Sequence, residues 1–312
     1  MILVTGSLAF DHIMNFPGKL GDHIMPDKIH ILNVSFLVDE MRKSFGGTAG
    51  NIAYSLSLLG IKTGILAVAG EDFNTYKDFL ESNQVDTSYI KVVNNLYTST
   101  AFGITDSKDN QIWGFYMGAD KLSEHLSIYS IDRMIDFGIV SPQNPRSMIK
   151  FAREYQQKKI PYLFDPGMQL PWLTGGELRS AFIGAKIIIG NDYEMSIIEK
   201  KVEAPISDYA KEDKIIITTM GDQGSEIMTK NEKIKIMPGR AKSISDPAGA
   251  GDAYRSGFVA GYLRNLPLKT CGQMGSLTAI YTVEKFGTTT HKFTIEEFCK
   301  RYKENFGVTI QL

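Results

Sequence analysis

Short runs of apolar, often β-branched residues alternate with amphipathic stretches through most of this 312-residue chain. The runs fall at 2–5, 64–69, 138–141, 162–165, 186–190 and 214–220, and several are unbroken by polar residues. An unbroken run suits a strand covered on both faces. Between the runs, 51–59, 74–82, 146–158 and 193–200 read as helices, and 250–264, 268–286 and 295–302 make the last third mostly helical. This alternation predicts an α/β fold, a mainly parallel central sheet flanked by helices. Such sheets bind ligands beyond the carboxyl ends of their strands.

Two regions break the pattern. Residues 12–43 carry no long helical signal, and 97–117 reads as a hairpin turning at Ser107-Lys108-Asp109-Asn110. Phe102, Ile104, Ile112, Phe115 and Tyr116 give that hairpin much apolar surface. Both regions are expected to form a small β lid inserted in one domain spanning 1–312, since no repeat, linker or low-complexity tract divides the chain. The charged segment at 296–303 reads as one solvated helix face.

Composition excludes several classes. The 34 basic and 35 acidic side chains nearly cancel, without the basic excess of a nucleic-acid binder. Hydrophobic content of 43% argues for an ordered core. The two cysteines, Cys271 and Cys299, make neither a disulfide framework nor a zinc pair. No apolar run approaches the roughly 20 residues of a membrane helix. The first residues lack a basic leader, so a cytoplasmic location is expected.

The strongest chemical signal is Asp246-Pro247-Ala248-Gly249-Ala250-Gly251-Asp252 ahead of a helix. Small residues at a helix start let a ligand meet unpaired amides, which with the helix dipole attract anions. Phosphoryl transfer uses such a cradle, and Asp252 stands where it could accept a hydroxyl proton. A glycine-entered helix capped by an aspartate is the bland alternative. A second cluster, Phe45-Gly46-Gly47-Thr48-Ala49-Gly50-Asn51, enters another helix and offers backbone and the Asn51 amide to substrate hydroxyls; a simple capped turn is its alternative. Asp11, just past the first strand, could accept bonds from two neighbouring hydroxyls. Phosphate-loop, dinucleotide, nucleophile-elbow and zinc-protease signatures are all missing. The five histidines show no metal-ligand spacing, although His12 lies beside Asp11.

Gly46 to Asn51 with Gly60 resembles the amino-terminal signature of the ribokinase-like (PfkB) carbohydrate and nucleoside kinases. Asp246 to Phe258 resembles their carboxyl-terminal signature. The resemblance spans essentially the whole chain and implies an ATP-dependent kinase with a ribokinase-like fold and a β lid. It implies Asp252 as catalytic base and the amides of Gly249, Ala250 and Gly251 as anion hole. It assigns Asp11, Gly46, Gly47 and Asn51 to substrate hydroxyls. Asn191-Asp192-Tyr193-Glu194 is similar to the family's N-x-x-E element, in which Asn191 and Glu194 serve the nucleotide and magnesium, Glu194 through water. Thr219, Gly221 and Gly224 resemble the nucleotide-site turn, and Asp246 matches a residue near a monovalent cation such as potassium.

Within the family, Phe164-Asp165-Pro166-Gly167, Asp252-Ala253-Tyr254-Arg255 and Val283-Glu284-Lys285-Phe286-Gly287 lean toward archaeal nucleoside kinases and bacterial adenosine kinases. Phe115, with Phe36, Phe102 and Met117, is expected to line a pocket for a base. Met168 stands where relatives commonly have glutamine. The expectation is γ-phosphoryl transfer from ATP to the 5′-hydroxyl of a nucleoside, adenosine foremost. The alternatives are a fructokinase or ribokinase acting on free sugar, a non-catalytic sensor on the same scaffold and, less favoured, a dehydrogenase. A homodimer formed through the lid is a further expectation.

Overall fold

The computed structural model describes residues 1–108 and 110–312. Asp109, in the turn expected at 107–110, lies outside the described residues. In chain order the strands begin with β1 (Ile2–Thr5), β2 (Ala9–Asn15), β3 (Glu40–Gly46), β4 (Thr63–Gly70), β5 (Ile90–Val93), β6 (Ser99–Thr105) and β7 (Gln111–Tyr116). They continue with β8 (Phe137–Val140), β9 (Tyr162–Phe164), β10 (Ala185–Asn191), β11 (Ile215–Thr219), β12 (Ser225–Met228) and β13 (Lys233–Ile236). The helices are α1 (Thr48–Leu58), α2 (Asn74–Ser82), α3 (Pro145–Gln157), α4 (Gly175–Gly184), α5 (Asp192–Val202), α6 (Ile206–Lys211), α7 (Ala250–Leu263), α8 (Leu268–Val283) and α9 (Ile295–Phe306).

Nine strands form one sheet in the order β13-β12-β11-β10-β9-β8-β1-β4-β5, parallel from β11 to β5. The β11–β12–β13 end is antiparallel. Burial on both faces explains the unbroken runs: Ile187 and Ile189 join one core with α1, α2, α7, α8 and α9, while Ile188 joins the other with α3, α4, α5 and α6. Thr5, Val140, Phe164, Asn191 and Thr219 end their strands on one edge. Among the described residues, no helix is long and apolar enough to cross a membrane.

The second sheet has the order β3-β2-β6-β7 and includes the expected 97–117 hairpin. One cross-strand row on it is Ser44–Asp11–Ala101–Phe115; two residues along lies Arg42–Ile13–Gly103–Trp113. Lys43–His12–Phe102–Gly114 occupies the opposite face, as the period of two demands.

Four elements stand outside the expected set: β5, α4, α6 and the β12–β13 hairpin. The glycine pair Gly175-Gly176 masks α4, which begins at a capping box made by Thr174 and Glu177. Helix α8 stops at Val283, short of the expected 286. The Val283 carbonyl instead accepts the Ser245 amide at 2.7 Å, drawing in the segment ahead of the Asp246–Asp252 loop.

Candidate active site

Helix α7 opens at Gly249, whose φ of +75° is left-handed. A side chain there would be strained and would meet Thr288 Cγ2 at 2.8 Å. Ala250, Gly251 and Asp252 follow as the first helical residues, so their amides lack helical acceptors, that of Ala250 reaching the Pro247 carbonyl at 3.3 Å, and Asp252 lies in the same first turn. Helix α1 also follows a positive-φ glycine, Gly47 at +84°, but its first amides, of Thr48 and Ala49, donate to Ser7 at 3.2 and 3.0 Å. The two helix starts meet through Asn51, which is 5% exposed. Its Nδ2 donates to Asp252 Oδ2 at 2.9 Å, and its Oδ1 accepts from Thr288 Oγ1 at 2.7 Å. Thr288 also bonds the Phe45 carbonyl at 3.0 Å, tying the segment after α8 to the first glycine loop. The Asn51 donor assigned from sequence to a substrate hydroxyl therefore orients Asp252.

Burial raises the Asp252 carboxyl above the usual range; Arg255 and the Asn51 donor oppose that rise, and Glu194 adds to it. Arg255 Nε faces Asp165 Oδ2, both residues buried, and among the described residues Asp165 Oδ1 has no hydrogen-bond partner. Asn191 and Glu194 cap α5 reciprocally: the Asn191 side chain accepts from the Glu194 amide at 2.7 Å, and Glu194 Oε2 from the Asn191 amide at 2.7 Å. Burial raises the Glu194 carboxyl, its first cause, and Asp165 adds to it. Thr219 pairs with Asn191 across β10 and β11, and Gly221 and Gly224 shape the corner into β12. The expected nucleotide residues thus share one edge of the sheet.

Asp11 lies directly against Gly46, leaving no room for a side chain there. Burial first, then Asp246, pushes the Asp11 carboxyl up to about 6. Asp246 accepts the Ala248 amide at 2.9 Å and the Gly287 amide at 3.0 Å, closing its loop. Phe115 shares Asp11's row and is 74% exposed. Phe102 does not: it lies on the other face, stacked on His12 at 5.1 Å. Its expected place in the base pocket is corrected, since neighbours along a strand point apart; His12 shares that opposite face, away from Asp11. Phe36 packs on Phe16 at 5.0 Å.

Four participants escaped sequence reading. Trp113 stands two residues before Phe115, stacked parallel to it at 5.9 Å. Its ring covers Gly103, and that bare glycine opposite an aromatic was the available signal. Asp165 and Arg255 sat in recognised segments but had no role. Thr288 gave no signal, because only the tertiary fold brings it to Asn51. A separate hollow of about 660 Å³ beside β5 is lined by Lys77, Glu81, Asp86 and Arg133, among others. Those four pair among themselves, Arg133 with Asp86 at 2.9 Å and Lys77 with Glu81 at 3.7 Å.

Residues 10–294 match the pfkB family of carbohydrate kinases. The chain belongs to that family. It is 32% identical to a nucleoside kinase of Methanothermobacter thermautotrophicus, over 98% of this chain and 96% of that one. The nucleoside kinase of Burkholderia thailandensis in complex with inosine superposes with a TM-score of 0.89 at 32% identity, covering 99% of both chains. Its ADP–inosine complex gives 0.87 at 33% identity, covering 100% of this chain and 98% of that one. The two glycine-entered helices of this PfkB chain, joined by Asn51 and Asp252, are the segments on which the family resemblance rests.

Proposed function

We propose that the protein is an ATP-dependent nucleoside kinase, transferring the γ-phosphoryl of ATP to the 5′-hydroxyl of a nucleoside, with adenosine foremost. The observation that carries the reading is the Asn51–Asp252 bond at 2.9 Å, which sets a carboxylate beside the first-turn amides of α7. The inosine complexes of the Burkholderia thailandensis relative support a nucleoside acceptor.

Asp252 Oδ2 is held by Asn51, and the other oxygen takes the proton of the attacking hydroxyl. The amides of Gly249, Ala250 and Gly251 hold the phosphoryl oxygens as charge spreads over them. Asp11 accepts from the ribose hydroxyls, with Gly46 and Gly47 giving close backbone approach. Phe115 and Trp113 lie against the base. Asn191, Glu194, Thr219, Gly221 and Gly224 border the ATP phosphates.

Magnesium fits the carboxylate excess here: the charges of Asp165, Asp252 and Glu194 all act on the one Arg255 guanidinium, and among the described residues Asp165 Oδ1 is buried without a partner. Among the described residues no three His, Cys, Asp or Glu side chains form a metal cage. Glu194 would therefore hold the ion through water, in the way magnesium keeps its hydration. When bound it would neutralise phosphate charge. Potassium would sit on carbonyls of the loops that Asp246 gathers. The four-stranded sheet acts as a lid that excludes water. Its outer face exposes Met41, Phe102 and Ile112, which supports a homodimer through the lid. A cytoplasmic location accords with the use of ATP.

The test is ADP release by the purified protein with a panel of nucleosides and free sugars. Adenosine is expected to give the highest kcat/KM, with inosine next. A preference for fructose or ribose would overturn the nucleoside reading, and binding without turnover would favour the sensor.

A further inference from the structure

Thr288 is delivered to the junction by a closed turn. After α8, Gly287 takes a left-handed φ of +84° and gives its amide to Asp246 Oδ2 at 3.0 Å, and Thr290 Oγ1 donates to the Phe286 carbonyl at 2.7 Å. Both branches of the Thr288 side chain are used. The methyl, Cγ2, fills the space that a side chain on Gly249 would need. The hydroxyl meets Asn51 Oδ1 at 2.7 Å and the Phe45 carbonyl at 3.0 Å. A hydroxyl has one proton to give, and the shorter contact directs it to Asn51. The nitrogen end of a carboxamide only donates and its oxygen end only accepts, while an ionised Asp252 only accepts. With Thr288 donating to Oδ1, the nitrogen end is left for Asp252, which it reaches at 2.9 Å. The three side chains come from the turn after α8, from α1 and from α7, so their alignment is a property of the tertiary fold.

We propose that Thr288 is a positioning residue for phosphoryl transfer: its hydroxyl locks the Asn51 carboxamide with the donor end on Asp252, and so aims the Asp252 carboxylate beside the α7 amides. This rests on reading Asp252 as the base. Without the hydroxyl, Asn51 Oδ1 is buried with no donor, which costs more than the bond itself, and the carboxamide is released to turn. Asp252 then keeps its place in the chain but loses its aim, and a normally bound acceptor meets a misplaced carboxylate.

Substitutions at Thr288 separate the hydroxyl from the packing. Thr288→Val keeps the volume and the methyl against Gly249 but loses the donor. Thr288→Ser keeps the donor and loses the methyl, and Thr288→Ala loses both. With the full chain and saturating ATP, Thr288→Val should lose roughly tenfold or more in kcat, with nucleoside KM within about threefold of wild type. Thr288→Ser should hold kcat within about threefold, although its melting temperature falls with the lost methyl. A role in packing alone predicts the reverse order. A second readout needs no turnover: the side-chain amide pair of Asn51 in protein labelled with ¹⁵N-asparagine, assigned by its loss in Asn51→Asp. In wild type and Thr288→Ser the pair should be sharp and slow to exchange with water. In Thr288→Val it should move toward the position of free asparagine and exchange roughly tenfold faster or more. If Thr288→Val does not fold, Thr288→Ala against Thr288→Ser makes the same comparison, since both lack the methyl. An amide pair that stays in place without the hydroxyl overturns the proposal, as does a near-normal kcat in the variants that lack it, or a Thr288→Ser kcat as low as theirs. A wild type that phosphorylates sugars but no nucleoside would fail the acceptor reading alone, and the Asn51 amide pair would still decide Thr288.

Discussion

The junction of α1 with α7 and the face of the four-stranded sheet solve opposite problems. At the junction Asn51 and Thr288 are buried, and bonds of 2.7 to 3.0 Å link Asp252, Asn51, Thr288 and the Phe45 carbonyl. On the sheet every residue of β7 is exposed, and Phe115 and Trp113 are stacked mainly on each other. Groups that move protons gain from being fixed before the substrate arrives, because reorganisation during reaction would add to the barrier. Aromatic residues that grip a base gain from being open beforehand and covered afterwards, since their contribution comes from surface removed from water. Changes at the junction should therefore appear in kcat, and changes on the sheet in KM.

The largest expected effect is at the junction. Asp252→Asn keeps the shape and an oxygen for Asn51 but cannot take a proton. It should lower kcat by roughly 10²–10⁴-fold, the usual worth of a positioned general base. Nucleoside binding, followed by calorimetry, should stay within a few-fold of wild type. Near-normal turnover would remove Asp252 from the chemistry.

The contrast between the regions also governs what the sequence disclosed. Continuous apolar runs such as 64–69 announced buried parallel strands, and the two glycine loops announced helix starts, because both signals are local. The Asn51–Asp252 bond joins residues 201 apart in the chain, and the Thr288–Asn51 bond residues 237 apart. Nothing local records such contacts, so Asn51 was assigned to the substrate rather than to Asp252. Phe102 was misplaced for a different reason: composition counts aromatics, whereas register decides which face they share. Pairing β6 with β7 puts Ala101, not Phe102, opposite Phe115. Helix α4 was hidden because two opening glycines weaken its propensity, and its capping box had to supply the start.

Asp11 sits between the two regions, on the small sheet but against Gly46, and should give an intermediate effect. With its carboxyl at about 6, acidifying through that value removes a charged acceptor, so nucleoside KM should rise as pH falls below about 6. Asp11→Asn should show a weaker version of that rise and a KM roughly tenfold higher at pH 7, the loss of a charge-assisted bond. Stability should move the other way. The folded value lies above the ordinary 3.8, so the fold binds the proton more tightly than the unfolded chain does. Stability then falls as pH rises from about 4 to 6, and Asp11→Asn should recover at most about 3 kcal/mol at neutral pH. A melting temperature that drops in Asp11→Asn would mean the carboxylate serves the fold rather than the ligand.

The smallest effect belongs to the open face, and it tests the comparison most directly. Phe115 is 74% exposed, so Phe115→Ala removes little from the core and should leave the melting temperature within a degree or two. Stacking is worth about 0.5–1.5 kcal/mol beyond area, so nucleoside KM should rise roughly three- to tenfold with kcat little changed. Phe102→Ala, one strand over and on the opposite face, should leave KM alone because its ring lies on His12. The pair of variants separates the two faces of one sheet. If both raise KM equally, the base does not lie along the Asp11 row, and the division between a fixed chemical junction and an open recognition face fails at the recognition end. If only Phe115→Ala does so, the row Ser44–Asp11–Ala101–Phe115 becomes the line along which the ribose and base are laid, and Trp113→Ala should then add a further, smaller rise.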